Sequence, residues 1–563
     1  MSYDFDAIVI GSGITGGMAA KELTQRGLKV LILERGRPLE HQKGYTTEFV
    51  TPWDAPNRGQ FDRDEIARDY PIQSNQPHGQ FKWDNKHYWV KDSEQPYVQA
   101  KPYSWIRANV LGGRSLLWGR QVYRWSDLDF EANKRDGHGS DWPIRYKDIA
   151  PYYTRVEKYI GASGENLGLP HFPDMELQPP MEMTAPEKVM REKIHAKWPE
   201  RYLTIGRTVN LTEKKNDRGP CNYRNICQRG CSFGAYFSSL SATLPDAQKT
   251  GRLTVKTNMV VARIVTDDKT GRATGVETID AATGKRKTYT SRIVFLNAGT
   301  EASVQILLQS AGKQHPNGLG NKGDVLGRYI CDHDAASVFG VMPGLEDRYF
   351  YGRRANGIYV PRFRNLKGVR EEGVEFDRGY VMQGGSARMG WTDMAGDGDD
   401  FGADYKRRLA KPGPWLVYLG GAVETLPRAE NRITLDPVAR DRYGLPQLRF
   451  DVARGDNENK MADDAIREGT AMLEASGAKV LGSGRFGNLP GVTVHVQGGA
   501  RMGNDPMTSV LNAHNQVHGA PNVFVTDGSA MVSAGSVNPS LTFLALTMRA
   551  AEYAVAQIKA GKL

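Results

Sequence analysis

FDAIVIGSGITGGMAAKELTQRGLKVLILERG, from Phe5 to Gly36, constrains this chain more than any other stretch. An apolar run, a glycine turn, a helix-forming run and a second apolar run spell strand, turn, helix and parallel strand. The three glycines of the turn have separate uses. Gly11 allows a tight bend, Gly13 the close approach of a pyrophosphate, and Gly16 close packing of the helix. The helix N-terminus brings the positive end of its dipole to the same place. Glu34 stands 21 residues beyond Gly13 at the end of the second strand, where a carboxylate can hold adenosine ribose hydroxyls. The unit predicts a Rossmann-like α/β domain that binds a dinucleotide, without choosing between NAD and FAD.

The chain has 563 residues, enough for two or three domains' worth of core. From Tyr45 to Tyr103 the pattern dissolves into polar and aromatic residues, an irregular cover or lid. Strand patterns return at LTVKTNMVVARIV and RIVFLNAG, and a β-rich region follows from about Arg328 to Gly482, read as an antiparallel sheet of its own. NVFVTDGSA, near residue 525, reads as a buried strand completing the first sheet. The expected division is therefore 1–45, 104–160, 205–327 and 483–563 in the dinucleotide domain, 46–103 as the cover, and 161–204 with 328–482 as an interleaved substrate domain. No apolar run reaches the roughly 18 residues a membrane span requires, so an integral membrane protein is not expected. No export signal is read at the N-terminus. The net charge of +10 comes without a basic tract or interleaved stacking aromatics, which disfavours nucleic acid.

Four further stretches carry the chemistry: RANVLGGRSLLWGR (Arg107 to Arg120), LNAGT (Leu296 to Thr300), HVQGGARMG (His495 to Gly503) and VFVTDGSAMVSAGSVNPSLT (Val523 to Thr542). In this order they resemble the glucose-methanol-choline (GMC) oxidoreductase family. The resemblance implies an FAD enzyme whose flavin domain is interleaved with an antiparallel-sheet substrate domain. It implies that Gly112 and Gly113 let backbone approach the flavin, that Asp527 and Gly528 lie along its ribityl-pyrophosphate, and that Val261 or its neighbour Val260 touches adenine, although MVVARIV reads equally well as core. Pro539 and Thr542, in the first turn of the last helix, belong to the same cofactor set, and that helix aims its positive end at the flavin. Some relatives tether FAD through a histidine where this chain has Leu117, so non-covalent FAD is expected.

By the same resemblance His495 and Asn538 face the flavin together. An imidazole suits removal of a hydroxyl proton as a hydride leaves the carbinol carbon. The carboxamide suits orientation of the hydroxyl and stabilisation of developing oxyanion charge. Asp332 and His333 read as a structural hinge or a substrate contact. The aromatics Trp83, Tyr88 and Trp89 read as a sugar-stacking surface or as a cover over FAD, and His41, His78 and His87 require no role.

Cys221, Cys227 and Cys231 fall within eleven residues. Three thiols in a glycine-containing loop read as an iron-sulfur site, as free thiols, or as a Cys227–Cys231 disulfide. The spacing resembles catalytic subunits of multi-subunit GMC dehydrogenases, which implies a 3Fe-4S cluster passing electrons to a cytochrome c. Among these the chain is most similar to glucoside 3-dehydrogenases, which implies oxidation of a secondary hydroxyl of a sugar or glycoside to a ketone. It also implies a small partner subunit that carries the chain to the periplasm; without one a cytoplasmic location is expected. A glycoside 3-oxidase that reduces oxygen and a hydroxynitrile-lyase-type protein are the alternatives.

Overall fold

The computed structural model describes residues 3–563 except 52, 76–79, 347, 349–354, 391–393, 395–400 and 486–488. Strand β1 (Phe5–Ile10), helix α1 (Ile14–Gln25) and strand β2 (Val30–Leu33) form the expected unit. β1 and β2 pair in parallel, Ala7 opposite Val30 through Ile10 opposite Leu33. Across the sheet the order is Ala520–Val525, Arg286–Leu296, β1, β2, Leu253–Lys256, each strand parallel to its neighbours. Such a sheet must be covered on both faces. Ile8, Ile10, Leu31 and Leu33 enter one core, and Ala7, Val9, Val30 and Ile32 enter the other. Because alternate residues go to opposite faces, these strands read as unbroken apolar runs. The antiparallel pair Met259–Thr266 and Ala273–Asp280 branches from Arg286–Leu296.

A second, six-stranded antiparallel sheet runs Lys479–Arg485, His333–Met342, Trp415–Glu424, Tyr380–Arg388, Ile358–Val360, Thr204–Ile205. The helix Asp456–Ala475 lies on one face, burying Met461, Ala465 and Met472 in the core that holds Val338, Met382 and Val417. Its apolar stripe follows helical spacing.

In one respect the β-rich region differs from its sequence reading. RITLDP and LPQLRF do not join the six-stranded sheet. Strands Arg432–Arg440 and Pro446–Asp451 pair with each other, and Pro446–Asp451 pairs also with Val98–Gln99. Their apolar residues Ile433, Leu448 and Phe450 pack on Tyr103, Trp105 and Val304, so this hairpin is held to the nucleotide side by its own hydrophobic face. Among the described residues no helix is long and apolar enough to cross a membrane.

Candidate active site

The C-terminal ends of the parallel strands open on a cavity of ≈ 300 Å³, where ligands of such sheets bind. Gly11, Gly13, Glu34, Gly113, Val261, His495, Asp527, Gly528 and Asn538 all line it. Val261 also contributes to the core behind it.

At one end the glycine turn divides its work as its spacing suggests. A Cβ on Gly11 would stand 2.4 Å from the Asn297 carbonyl oxygen, and one on Gly16 2.0 Å from that of Gly11, so both positions are closed by backbone. A Cβ on Gly13 would meet nothing within 4 Å; its open side faces the cavity. Gly16 therefore packs the helix and does not line the cavity. Glu34 is buried and accepts from Ser12 N–H at 3.0 Å, Ser12 Oγ–H at 2.5 Å and Gly36 N–H at 2.7 Å. Burial pushes its carboxyl pKa up, and these three donors pull the other way. Ser12 Oγ in turn accepts from Gly112 N–H at 2.8 Å, so Gly112 shapes the turn from behind and Gly113 alone of the pair reaches the cavity.

The helices beginning at Ile14, Thr300 and Ser540 have no side-chain cap, and all three residues or their immediate neighbours line the cavity. Their first turns, which no N-cap side chain bonds, bring three positive helix ends to it, suited to phosphate and to an electron-rich ring. Asp527 is spent on architecture: it accepts from Gly299 N–H, Ser303 Oγ–H, Ser529 N–H and Ser529 Oγ–H, tying the NAG turn to the last strand. Burial raises its pKa.

At the far end His495 Nε2 and Asn538 Nδ2 lie 3.3 Å apart although 43 residues separate them. The turn carrying His495 is strained, because Val494 holds φ at +60°, a conformation a β-branched residue resists by about 1–3 kcal/mol. Asp332 accepts from Thr493 Oγ1–H at 2.5 Å and from His495 N–H at 3.0 Å. Burial raises its pKa.

The structure places the remaining sequence candidates. Asp332 and His333, read as a hinge or a substrate contact, both bond the His495 turn, His333 Nδ1 lying 2.9 Å from His495 Nδ1. Thr542 and Pro539 are absent from the cavity wall. The Thr542 hydroxyl turns away to Tyr153 Oη at 2.7 Å, and Ser540 and Phe543 are the helix residues that reach the cavity. Trp89 lines the cavity, whereas Tyr88 donates to the Arg229 carbonyl, so the aromatic segment spans from the cavity to the cysteine loop as a cover. Gln383 was missed as a site residue, and His333 was read only as a hinge or a substrate contact. DH at 332–333 was the only signal, and nothing local marks Gln383. Among the histidines given no role, His41 bonds Tyr45 Oη at 2.8 Å, and His78 lies outside the described residues.

Cys221, Cys227 and Cys231 line a second, small cavity together with Tyr236. They are free thiols, so the Cys227–Cys231 disulfide is not formed. Glu48 of the cover segment holds this loop through Arg224 at 2.5 Å and Ser232 N–H at 2.9 Å. Tyr236 donates to the Leu116 carbonyl at 3.0 Å and Leu117 lines the large cavity, so a single layer of chain parts the two. Among the described residues, no group of three or more His, Cys, Asp or Glu side chains is arranged to hold a metal ion, and the sulfurs as placed do not make a ligand set.

A parallel sheet with a cavity at its strand ends, a glycine turn and an acid at one end and an imidazole beside a carboxamide at the other, is the arrangement of an oxidoreductase that uses a dinucleotide cofactor. Family models described as GMC oxidoreductase match residues 5–335 and 427–547. The chain belongs to the GMC oxidoreductase family. It is 29% identical to 2-methyl-1,2-propanediol dehydrogenase of Mycolicibacterium austroafricanum, over 97% of this chain and 94% of that protein. It is 27% identical to the fructose dehydrogenase large subunit of Gluconobacter japonicus, over 99% and 98%. The fold matches formate oxidase of Aspergillus oryzae with a TM-score of 0.61 at 13% identity, over the whole of both chains. The open Gly13 cradle, the ribose-facing Glu34 and three uncapped helix ends fit FAD.

Proposed function

We propose that this protein is an FAD-dependent dehydrogenase oxidising a secondary hydroxyl of a sugar or glycoside to a ketone, with position 3 of glucosides as the substrate class. The observation that carries the reading is the pairing of His495 with Asn538 at the cavity end opposite the glycine turn. FAD, when bound, supplies the hydride acceptor. His495 Nε2 takes the hydroxyl proton, breaking O–H as N–H forms. The Asn538 amide donates to the oxygen as it gains negative charge. The uncapped start of the Ser540 helix favours negative charge on the cavity side. The sugar assignment is supported by the fructose dehydrogenase relative; position 3 rests on the resemblance of the motifs.

The reading extends to an iron-sulfur cluster on Cys221, Cys227 and Cys231, supported by their sharing one cavity a single layer from the larger one, although the sulfurs as placed do not form a ligand set. It also extends to a cytochrome c acceptor and to a small partner subunit that carries the chain to the periplasm. The domain division given above belongs to the same reading, except that the hairpin at 432–451 goes with the nucleotide side.

The test is anaerobic mixing of the FAD-loaded protein with methyl α-D-glucoside and a panel of polyols. Bleaching of the flavin, lost by 10²-fold or more in His495→Gln, is the expected result; a flavin that stays yellow with every sugar points to lyase-type chemistry and ends the proposal. Fast reoxidation by air instead of by dye acceptors would make it an oxidase. Iron and sulfide analysis of anaerobically purified protein decides the cluster.

A further inference from the structure

His495 can act as a base only if its cavity-facing nitrogen carries a lone pair, and a neutral imidazole has one such nitrogen. We propose that His333 is a positioning residue that, with Gln383, fixes His495 as the tautomer protonated on Nδ1, with its lone pair on Nε2. The inference rests on the reading of His495 as the proton acceptor.

The assignment starts from a group with no choice. The Gly535 carbonyl can only accept, and His333 Nε2 lies 2.9 Å from it, so His333 Nε2 carries a hydrogen. A His333 ring whose one hydrogen is on Nε2 has its lone pair on Nδ1. That atom is 2.9 Å from His495 Nδ1, with the two rings at 90°, so His495 donates from Nδ1 and its own lone pair falls on Nε2. Asn538 Nδ2, at 3.3 Å, donates to that nitrogen until a substrate hydroxyl takes its place, the amide N–H then going to the hydroxyl oxygen. The orientation of this amide is set in turn. Gln383 Nε2 donates to Asn538 Oδ1 at 3.1 Å, which keeps the Asn538 nitrogen on the side of His495.

Every link donates in the same direction, from Gln383 through Asn538, His495 and His333 to the Gly535 carbonyl. Both orienting residues belong to the six-stranded sheet, at the start of His333–Met342 and within Tyr380–Arg388. Gly535 anchors the chain rigidly. Its φ is +65° and a Cβ there would stand 2.6 Å from the Trp125 ring. The elbow before the last helix thus supplies the fixed acceptor as well as Asn538. When Nε2 takes the hydroxyl proton, Nδ1–H keeps its acceptor in His333. The proton stops there, since the remaining His333 hydrogen is already given to a carbonyl.

The test uses FAD-loaded protein labelled with ¹⁵N-histidine, in which the ring nitrogen shifts of His495, assigned by their loss in His495→Gln, report the tautomer. The expected result is Nδ1–H in the native protein, loss of that preference in His333→Leu, and its return in His333→Asn, whose Oδ1 can accept the same N–H. Flavin reduction by methyl α-D-glucoside should fall about 10²-fold at saturation in His333→Leu, with KM changed less than threefold, and recover to within tenfold of native in His333→Asn. Native His495 protonated on Nε2, or His333→Leu with tautomer and rate intact, overturns the proposal. If His333→Leu does not fold, the native spectrum and His333→Asn still decide it. If no sugar bleaches the native flavin, the glycoside reading fails while the ¹⁵N shifts still answer the question of the tautomer.

Discussion

Glu34→Gln is a small change in shape with a large expected effect. Three donors converge on the carboxylate: two from Ser12 on Oε2 and Gly36 N–H on Oε1. An amide must point its NH₂ at one of these sets. Placing its oxygen toward Ser12 is the better choice, and it brings NH₂ against the Gly36 N–H, where the native contact is 2.7 Å. One charge-assisted hydrogen bond is lost, worth about 1.5–3 kcal/mol, and a buried donor is left unmet. The two bonds to Ser12 weaken as their acceptor becomes neutral. Against this, a buried charge whose desolvation raises its pKa is removed. The net is about 2–3 kcal/mol. Expressed in cofactor affinity, at 1.36 kcal/mol per tenfold, the FAD Kd rises about 30–150-fold. Expressed in stability, an unfolding entropy of about 2.1 cal/mol/K per residue over 563 residues converts it to roughly 2 °C of Tm. Equilibrium dialysis against FAD and calorimetry of the apoprotein separate the two. A Glu34→Gln protein that binds FAD within about twofold of native and melts at the native temperature would show that Glu34 is uncharged in the fold, and the reasoning fails.

The glycine turn offers a contrast between neighbours: Gly13→Ala should fold with an unchanged apoprotein Tm yet bind FAD at least tenfold more weakly, because its Cβ meets only the cavity. Gly11→Ala should accumulate poorly, since φ is +93° and the Cβ would strike the Asn297 carbonyl; equal FAD binding by Gly13→Ala, or normal yield of Gly11→Ala, counts against the division of roles. Burial lowers the His87 pKa from the ordinary 6.5 to about 4, and its Nε2 is buried without a partner. The folded state therefore resists a proton the unfolded chain accepts, so stability is complete above pH 6.5 and falls as pH drops toward 4. Discounted for partial exposure, the loss is about 1–2 kcal/mol. Urea titrations between pH 7 and 4 should show a shallower acid limb for His87→Phe, and an unchanged limb refutes the assignment.

Much of the site was legible because its signals are local. The glycine spacing, the acid at the end of β2 and the elbow before the last helix are each written within a few consecutive residues, since a tight turn or a helix start makes demands only on its own neighbours. Where the reading went astray, the deciding contact lay elsewhere. Thr542 sits in the right turn but faces Tyr153, and nothing near either residue shows which side of the helix meets the cavity. The strands at 432–451 alternate like their neighbours, but their apolar face met Tyr103 and Val304 instead of the helix Asp456–Ala475.

The sequence by itself determined the class of chemistry: a dinucleotide turn with its ribose acid, strands buried on both faces, and an imidazole and a carboxamide in family-like motifs. Tertiary structure alone decided which nitrogen of His495 is the acceptor. His333 stands 162 residues from His495 and Gln383 stands 155 residues from Asn538. Hydrogen-bond direction depends on what the fold brings within hydrogen-bonding distance, and pairs so far apart in the chain leave no periodicity to read.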